Sequence, residues 1–344
     1  LFAFASAGYL LFFFPAFAGA ISSLAALLIL VLMAVNLLGI KESSRLNSLL
    51  TVVVILVLLV LAIIGFGWSF DIDKFAAGIV PIGQNPGGWE SFLYSITLAM
   101  VTFVGIESIS QGAEETKEPH KIIPKATMLA IAVVLFFAMV FSVLSLGIVS
   151  PQTLKENMNN PFIPVVQAMP FANILVPIIA FAGFLVCFVS ANTGIIGVSR
   201  VAYSMSNTGL ISRRIQWVHP KFRTPWITIV IFSIIAMVLA FTGDMIFLGE
   251  LYAFGALAAY SVTNFSLVAL RIKEPNLHRP FKMPLNLKIA GREISLISLV
   301  GIISCLAVFA LVALLHVEGR NFAFIWFALG ALYFVAYKRY RKTV

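Results

Sequence analysis

A glycine and a carboxylate share the short stretch Phe103-Val104-Gly105-Ile106-Glu107, inside a run from Phe92 to Ala113 that is otherwise almost continuously apolar. A charge held at that depth of a membrane helix is costly, and a carboxylate that stays there lines a path or a site. The small and polar Ser108, Ser110, Gln111 and Gly112 follow directly. A backbone opened at Gly105 would free amides and carbonyls that only a ligand, water or neighbouring helices could satisfy. The freed N–H groups suit a carboxylate, and the unwound carbonyls suit an ammonium group or a cation. A small zwitterion carries both. The competing reading is a glycine that permits close helix packing, with Glu107 buried, paired and inert.

Other chemistry is hard to find. His120, His219, His278 and His316 fall at loop positions far apart in the chain, none with a partner at metal-ligand spacing, and read as solvated loop histidines. Cys187 and Cys305 lie in apolar stretches as small packing residues, with no sign of a disulfide or metal site. No phosphate-cradling glycine loop, nucleophile elbow or cysteine pair is present, and no pair of catalytic groups falls at one bilayer level, so no cofactor, metal or enzymatic activity is expected. The longest polar connection is far too short for a nucleotide-binding domain. Any work done must draw on an ion gradient, on exchange or on another subunit.

The elements that hold these residues follow from composition. With 61% hydrophobic and 11% charged residues the chain is far from a water-soluble globule and reads as an all-α, polytopic helical membrane protein. Apolar stretches able to cross the ~30 Å hydrocarbon layer fall near 20–40, 46–68, 92–113, 125–149, 171–197, 225–242, 247–270, 294–316 and 321–338, with a partial span over 1–19. If these alternate sides, 20 of the 23 basic residues share one side, and only Lys74, Lys155 and Arg320 fall on the other. That asymmetry predicts cytoplasmic basic loops and a cytoplasmic C-terminus, and it argues against nucleic acid as the partner of the +9 charge. The basic tail from Tyr337 to Lys342 could touch anionic lipid, although a topological anchor explains it as well. The chain opens on Leu1 with an apolar segment already under way, which predicts that upstream sequence precedes it.

Beyond Glu107 the sequence resembles the amino acid-polyamine-organocation (APC) transporters. Phe103-x-Gly-x-Glu107, Glu114-Glu115, Lys117-x-Pro119 and Ile123-Pro124-Lys125-Ala126 are similar to that family's sixth helix and following loop. Asn36-Leu-Leu-Gly-Ile-Lys41 resembles its fourth-to-fifth helix turn, and Gly197-Val-Ser-Arg200, Tyr203-Ser-Met205 and Gly209-Leu210 through Thr224-Pro225 its eighth helix and the loop after it. Leu270-Arg271, Pro275, Arg279-Pro280-Phe281-Lys282 and Pro284 resemble the loop after the tenth. The matches fall in the family's order across nearly the whole chain.

The resemblance implies a LeuT-like fold of two inverted five-helix halves plus two C-terminal helices, with residues 1–344 as a single transporter domain that begins inside the third helix and lacks the first two. It implies a substrate wall of Phe103, Val104, Gly105 and Ile106, with Glu107 as the proton-sensitive group, a carboxylate whose desolvation would bring its titration towards neutral pH. Ser190, Asn192 and Thr193 on the eighth helix become candidates for a coupling ion, although hydrogen bonding between helices explains them equally. Tyr252, Phe254 and Tyr260 on the tenth become candidates for an outer gate, with packing or an interfacial belt as the alternative. Two positions depart from the family. Val54 stands where several proton-coupled relatives carry lysine, and Val101 where arginine/agmatine-type exchangers carry an aromatic residue. The expectation is a secondary transporter of amino acids or amines in the cell membrane, proton-coupled or, alternatively, an exchanger; sodium remains open as the ion, and a non-transporting scaffold or sensor is the reading from another class.

Overall fold

The computed structural model describes residues 1–39, 44–81, 87–111, 113, 116–282, 284–289 and 292–343. Ile40, Lys41, Gly112, Glu114 and Glu115, all named above, lie outside the described residues. The chain is helical almost throughout: α1 (Phe2–Leu10), α2 (Ile21–Leu37), α3 (Ser44–Ile64), α4 (Ile72–Gly78), α5 (Gly88–Ala99), α6 (Ser108–Gln111), α7 (Pro119–Ile148), α8 (Pro151–Glu156), α9 (Phe162–Gln167), α10 (Ala172–Asn207), α11 (Trp226–Ala240), α12 (Met245–Lys273), α13 (Leu296–Leu315) and α14 (Val317–Thr343). Among the described residues, 8 segments are long and apolar enough to cross a membrane, and α11, with 15 residues, is a shorter apolar helix. Large apolar side chains such as Leu56, Ile63, Leu129, Val238 and Ile303 stand exposed on these helices. That is expected of surfaces solvated by lipid rather than water. At 36 residues α10 is about 54 Å long and outreaches the hydrocarbon layer. Its polar end, Arg200–Asn207, is the part with least apolar character.

Two compact units are distinguished. The first comprises residues 1–80, 136–245 and 330–344. In it α1 and α2 pack on α10, and α11 packs on α2. Its core gathers Tyr9, Leu61, Phe141, Leu144, Ile163, Val166 and Ile179, with Cys187 at the margin. Gly183 lets α10 close on α1, since a Cβ there would stand 2.8 Å from the Tyr9 ring. Asn36 on α2 donates to Asn192 Oδ1 on α10 at 2.6 Å and to Leu32 O at 2.8 Å, a polar clamp inside an apolar layer.

The second unit comprises residues 81–135 and 246–329. Here α5 packs on α13, and a core forms around Phe254, Leu257, Val312 and Ala323. Ser295 caps α13 by accepting from the Ser298 amide. A two-stranded antiparallel hairpin, β1 (Asn286–Ile289) and β2 (Arg292–Ser295), precedes that cap. The composition gave no signal for this hairpin, which is small enough to leave the all-α class unchanged.

Candidate substrate site

The helix carrying Gly105 does come apart. α5 runs to Ala99, tightens into a 3-10 turn over Met100–Phe103, and gives way at Val104, whose φ of −74° and ψ of 137° are extended. Gly105 then takes φ +109°, a conformation that side chains with a Cβ rarely adopt. The α-helical pattern resumes only at Ser108. Across this gap the Val104 amide bonds Val101 O, and the amides of Ser108, Ile109 and Ser110 bond Gly105 O, Ile106 O and Glu107 O. The amides of Ile106 and Glu107 and the carbonyls of Phe103 and Val104 make no hydrogen bond among the described residues. Both polarities of backbone group are therefore available within the five residues from Phe103 to Glu107.

Glu107 organises the gap. Its Oε2 accepts from the Gly105 amide at 2.9 Å and from the Tyr260 hydroxyl on α12 at 2.7 Å. Charge-assisted bonds of this kind fix a carboxylate's direction. The side chain is exposed. Among the described residues it meets no basic side chain, and it is exposed rather than buried. Phe103, Val104, Gly105 and Ile106 are each half-buried beside it. A Cβ built on Gly105 would meet nothing within 4 Å, so the glycine serves the backbone turn rather than a tight packing contact, and open space lies against it.

The other candidates are placed differently. Ser190 Oγ donates to Val186 O at 2.8 Å and Thr193 Oγ1 to Val189 O at 3.0 Å, each back along α10. Asn192 is engaged by Asn36. Tyr252 is half-buried on α12, whereas Phe254 is 1% exposed and sits among the rings of Phe309, Phe324 and Phe327.

The family model described as amino acid permease matches residues 1–337. This chain belongs to the amino acid permease family. It is similar to the methylthioribose transporter of Bacillus subtilis (strain 168), 28% identical over 332 residues that cover 94% of this chain and 66% of the relative. It is also similar to the branched-chain amino acid permease of the same organism, 25% identical over 255 residues, 72% of this chain and 51% of that one. With the Homo sapiens cystine/glutamate transporter it shares 26% identity over 202 residues, 58% of this chain and 40% of the relative. The chain thus spans between about half and two thirds of the length of the two Bacillus relatives. Named permeases and transporters are what this family member resembles.

One further polar cluster of this chain has no counterpart in the expectations drawn from sequence. His316 is not a solvated loop residue: it is fully buried, because α14 starts at Val317 and leaves a single residue between two helices. Its ring stacks on Tyr94 of α5 at 4.5 Å, and its Nδ1 lies 3.7 Å from Glu250 Oε1 of α12. Two titratable groups do share one level here. A lone carboxylate at 250 inside the apolar stretch 247–270 was the available signal, of the same kind that singled out Glu107.

Proposed function

We propose that this chain is the body of a secondary transporter of amino acids or related amines, working by alternating access in the cell membrane, with residues 1–344 acting as one transporter domain. The observation that carries this reading is the opened turn at Val104–Glu107, where unbonded amides and carbonyls lie beside an exposed, oriented carboxylate. The Ile106 and Glu107 amides meet the carboxylate of the substrate, and the Phe103 and Val104 carbonyls meet its ammonium group. Phe103 and Ile106 line the apolar part. The family membership and the transporter names of the relatives support the substrate class.

Glu107 takes and releases a proton as the site changes sides, making uptake proton-linked. In this reading protons drive the cycle, while Ser190 and Thr193 donate along their own helix and Asn192 is engaged by Asn36. Tyr252 and Tyr260 on α12 flank the acid and gate it. The basic loops and the C-terminus face the cytoplasm, where positive charge is retained.

The test uses the full-length protein reconstituted in vesicles. Uptake of labelled amino acids into empty vesicles should rise with an inward proton gradient, and Glu107→Gln should flatten that dependence. Unchanged pH dependence in the variant would remove the proton role, uptake only into preloaded vesicles would make the protein an exchanger, and no flux of any amino acid or amine would leave a scaffold or sensor.

A further inference from the structure

The cluster around His316 has a hydrogen-bond logic that leaves one place vacant. Thr97 Oγ1 donates its single proton to Tyr94 O at 2.6 Å. Its contact with His316 Nε2 must therefore be one in which the imidazole N–H donates and the hydroxyl accepts. That tautomer leaves Nδ1 as a bare lone pair, and Nδ1 is buried with no hydrogen-bond partner among the described residues. Opposite it stands Glu250, 8% exposed. Its Oε1 accepts from the Tyr94 hydroxyl at 2.8 Å and its Oε2 from the Gly319 amide at 3.2 Å. A lone pair and a carboxylate oxygen 3.7 Å apart repel each other unless something positive lies between them.

We propose that Glu250 and His316 form a buried proton-binding site, distinct from Glu107, in which one proton is held between Glu250 Oε1 and His316 Nδ1. With that proton the pair becomes a charge-assisted N–H···O bridge that ties α12 to the turn between α13 and α14. Without it, Glu250 keeps the bonds from the Tyr94 hydroxyl and the Gly319 amide but has none to the imidazole. The groups facing the imidazole are Glu250 from α12 and the Tyr94 ring from α5. On the near turns Glu90 and Glu318 are exposed, and Arg320 is directed at Ala313 O and Asn321 Oδ1. Burial pushes the imidazole below its ordinary range while Glu250 pulls it up, so the site fills on acidification.

The proposal stands whether or not Glu107 meets a substrate, and its test reads protons rather than transport. With four histidines in the chain, each imidazole resonance of histidine-labelled protein can be assigned by substitution, that of His316 with His316→Gln. Titrated between pH ~4 and ~9, the His316 resonance should move with a midpoint below the ordinary histidine value of ~6.5. Glu250→Gln should lower that midpoint by about one pH unit, a tenfold loss of proton affinity. Tyr94→Phe, which removes one hydroxyl and keeps the ring, should raise it by withdrawing a donor from Glu250, and serves alone if Glu250→Gln does not fold. A His316 resonance that stays constant across the range, or a midpoint that neither variant moves, would overturn the site.

Discussion

Tyr260 donates to Glu107 across 153 residues of chain, and Tyr94 donates to Glu250 across 156, so the two helical lines exchange a phenol for an acid at each of two levels. On α12 the acid and the phenol are ten residues apart, roughly 15 Å along the axis. Each bond has one partner on the line of α5 and one on α12.

Removing the inner phenol should isolate Glu107 without unfolding the unit. A hydrogen bond to a charged group is worth about 1.5–3 kcal/mol, and this one is solvent-exposed, so Tyr260→Phe should leave the melting temperature nearly unchanged. Uptake by reconstituted full-length protein should fall roughly tenfold if orientation of the carboxylate matters at that energy. Wild-type flux in the variant would show that Glu107 works without being aimed.

Backbone conformation rather than crowding makes Gly105 special. In Gly105→Ala the new methyl enters open space, but φ +109° strains any residue with a Cβ, at about 1–2 kcal/mol. The variant should fold with a modestly lower melting temperature and lose most uptake as the turn relaxes. Gly194→Ala, also facing open space but within regular α10, is the control and should match wild type in both assays. Gly183→Ala, which would press on the Tyr9 ring, should destabilise more than either.

Acid should weaken the fold through His316. In the unfolded chain its imidazole charges near pH 6.5, and burial holds the folded one below that value. As pH falls through ~6.5 the unfolded state binds more protons, so stability is lost on acidification and regained above that range. Melting temperatures of wild type and His316→Gln between pH ~7.5 and ~5 should diverge, the variant losing less. Parallel slopes would exclude His316 as a source of acid sensitivity.

The polar residues of α10 should separate cleanly. Asn192→Ala breaks the clamp to Asn36 and should cost about 1 kcal/mol, read as a lower melting temperature. Ser190→Ala removes a hydroxyl bonded to its own helix and should be nearly silent in stability. A strong loss of sodium-dependent uptake in Ser190→Ala would instead assign that hydroxyl to an ion.

What the chain disclosed in advance is what local pattern encodes. Apolar runs marked the spans because lipid selects composition along a single helix, and a glycine two residues from an acid marked the break because both are costly at that depth. The partners were not encoded that way. Tyr260 was named beside Phe254 as an aromatic near a gate, yet one binds the acid and the other fills a core of rings, a difference set by which face of α12 each occupies. His316 looked like a loop residue because hydropathy placed the last helix from 321 onward. Folding starts that helix at Val317, which draws the histidine inside. Its pairing with Glu250 and Tyr94 joins α12, α5 and the turn between α13 and α14, and the pairing itself, unlike the lone carboxylate at 250, leaves no local trace.

A beam pinned near both ends but unsupported at its centre bows instead of swinging. The path from Tyr94 to Glu107 is such a beam, with its break in the helix at Gly105 just short of the second pin, so bending there leaves both pinned ends on α12.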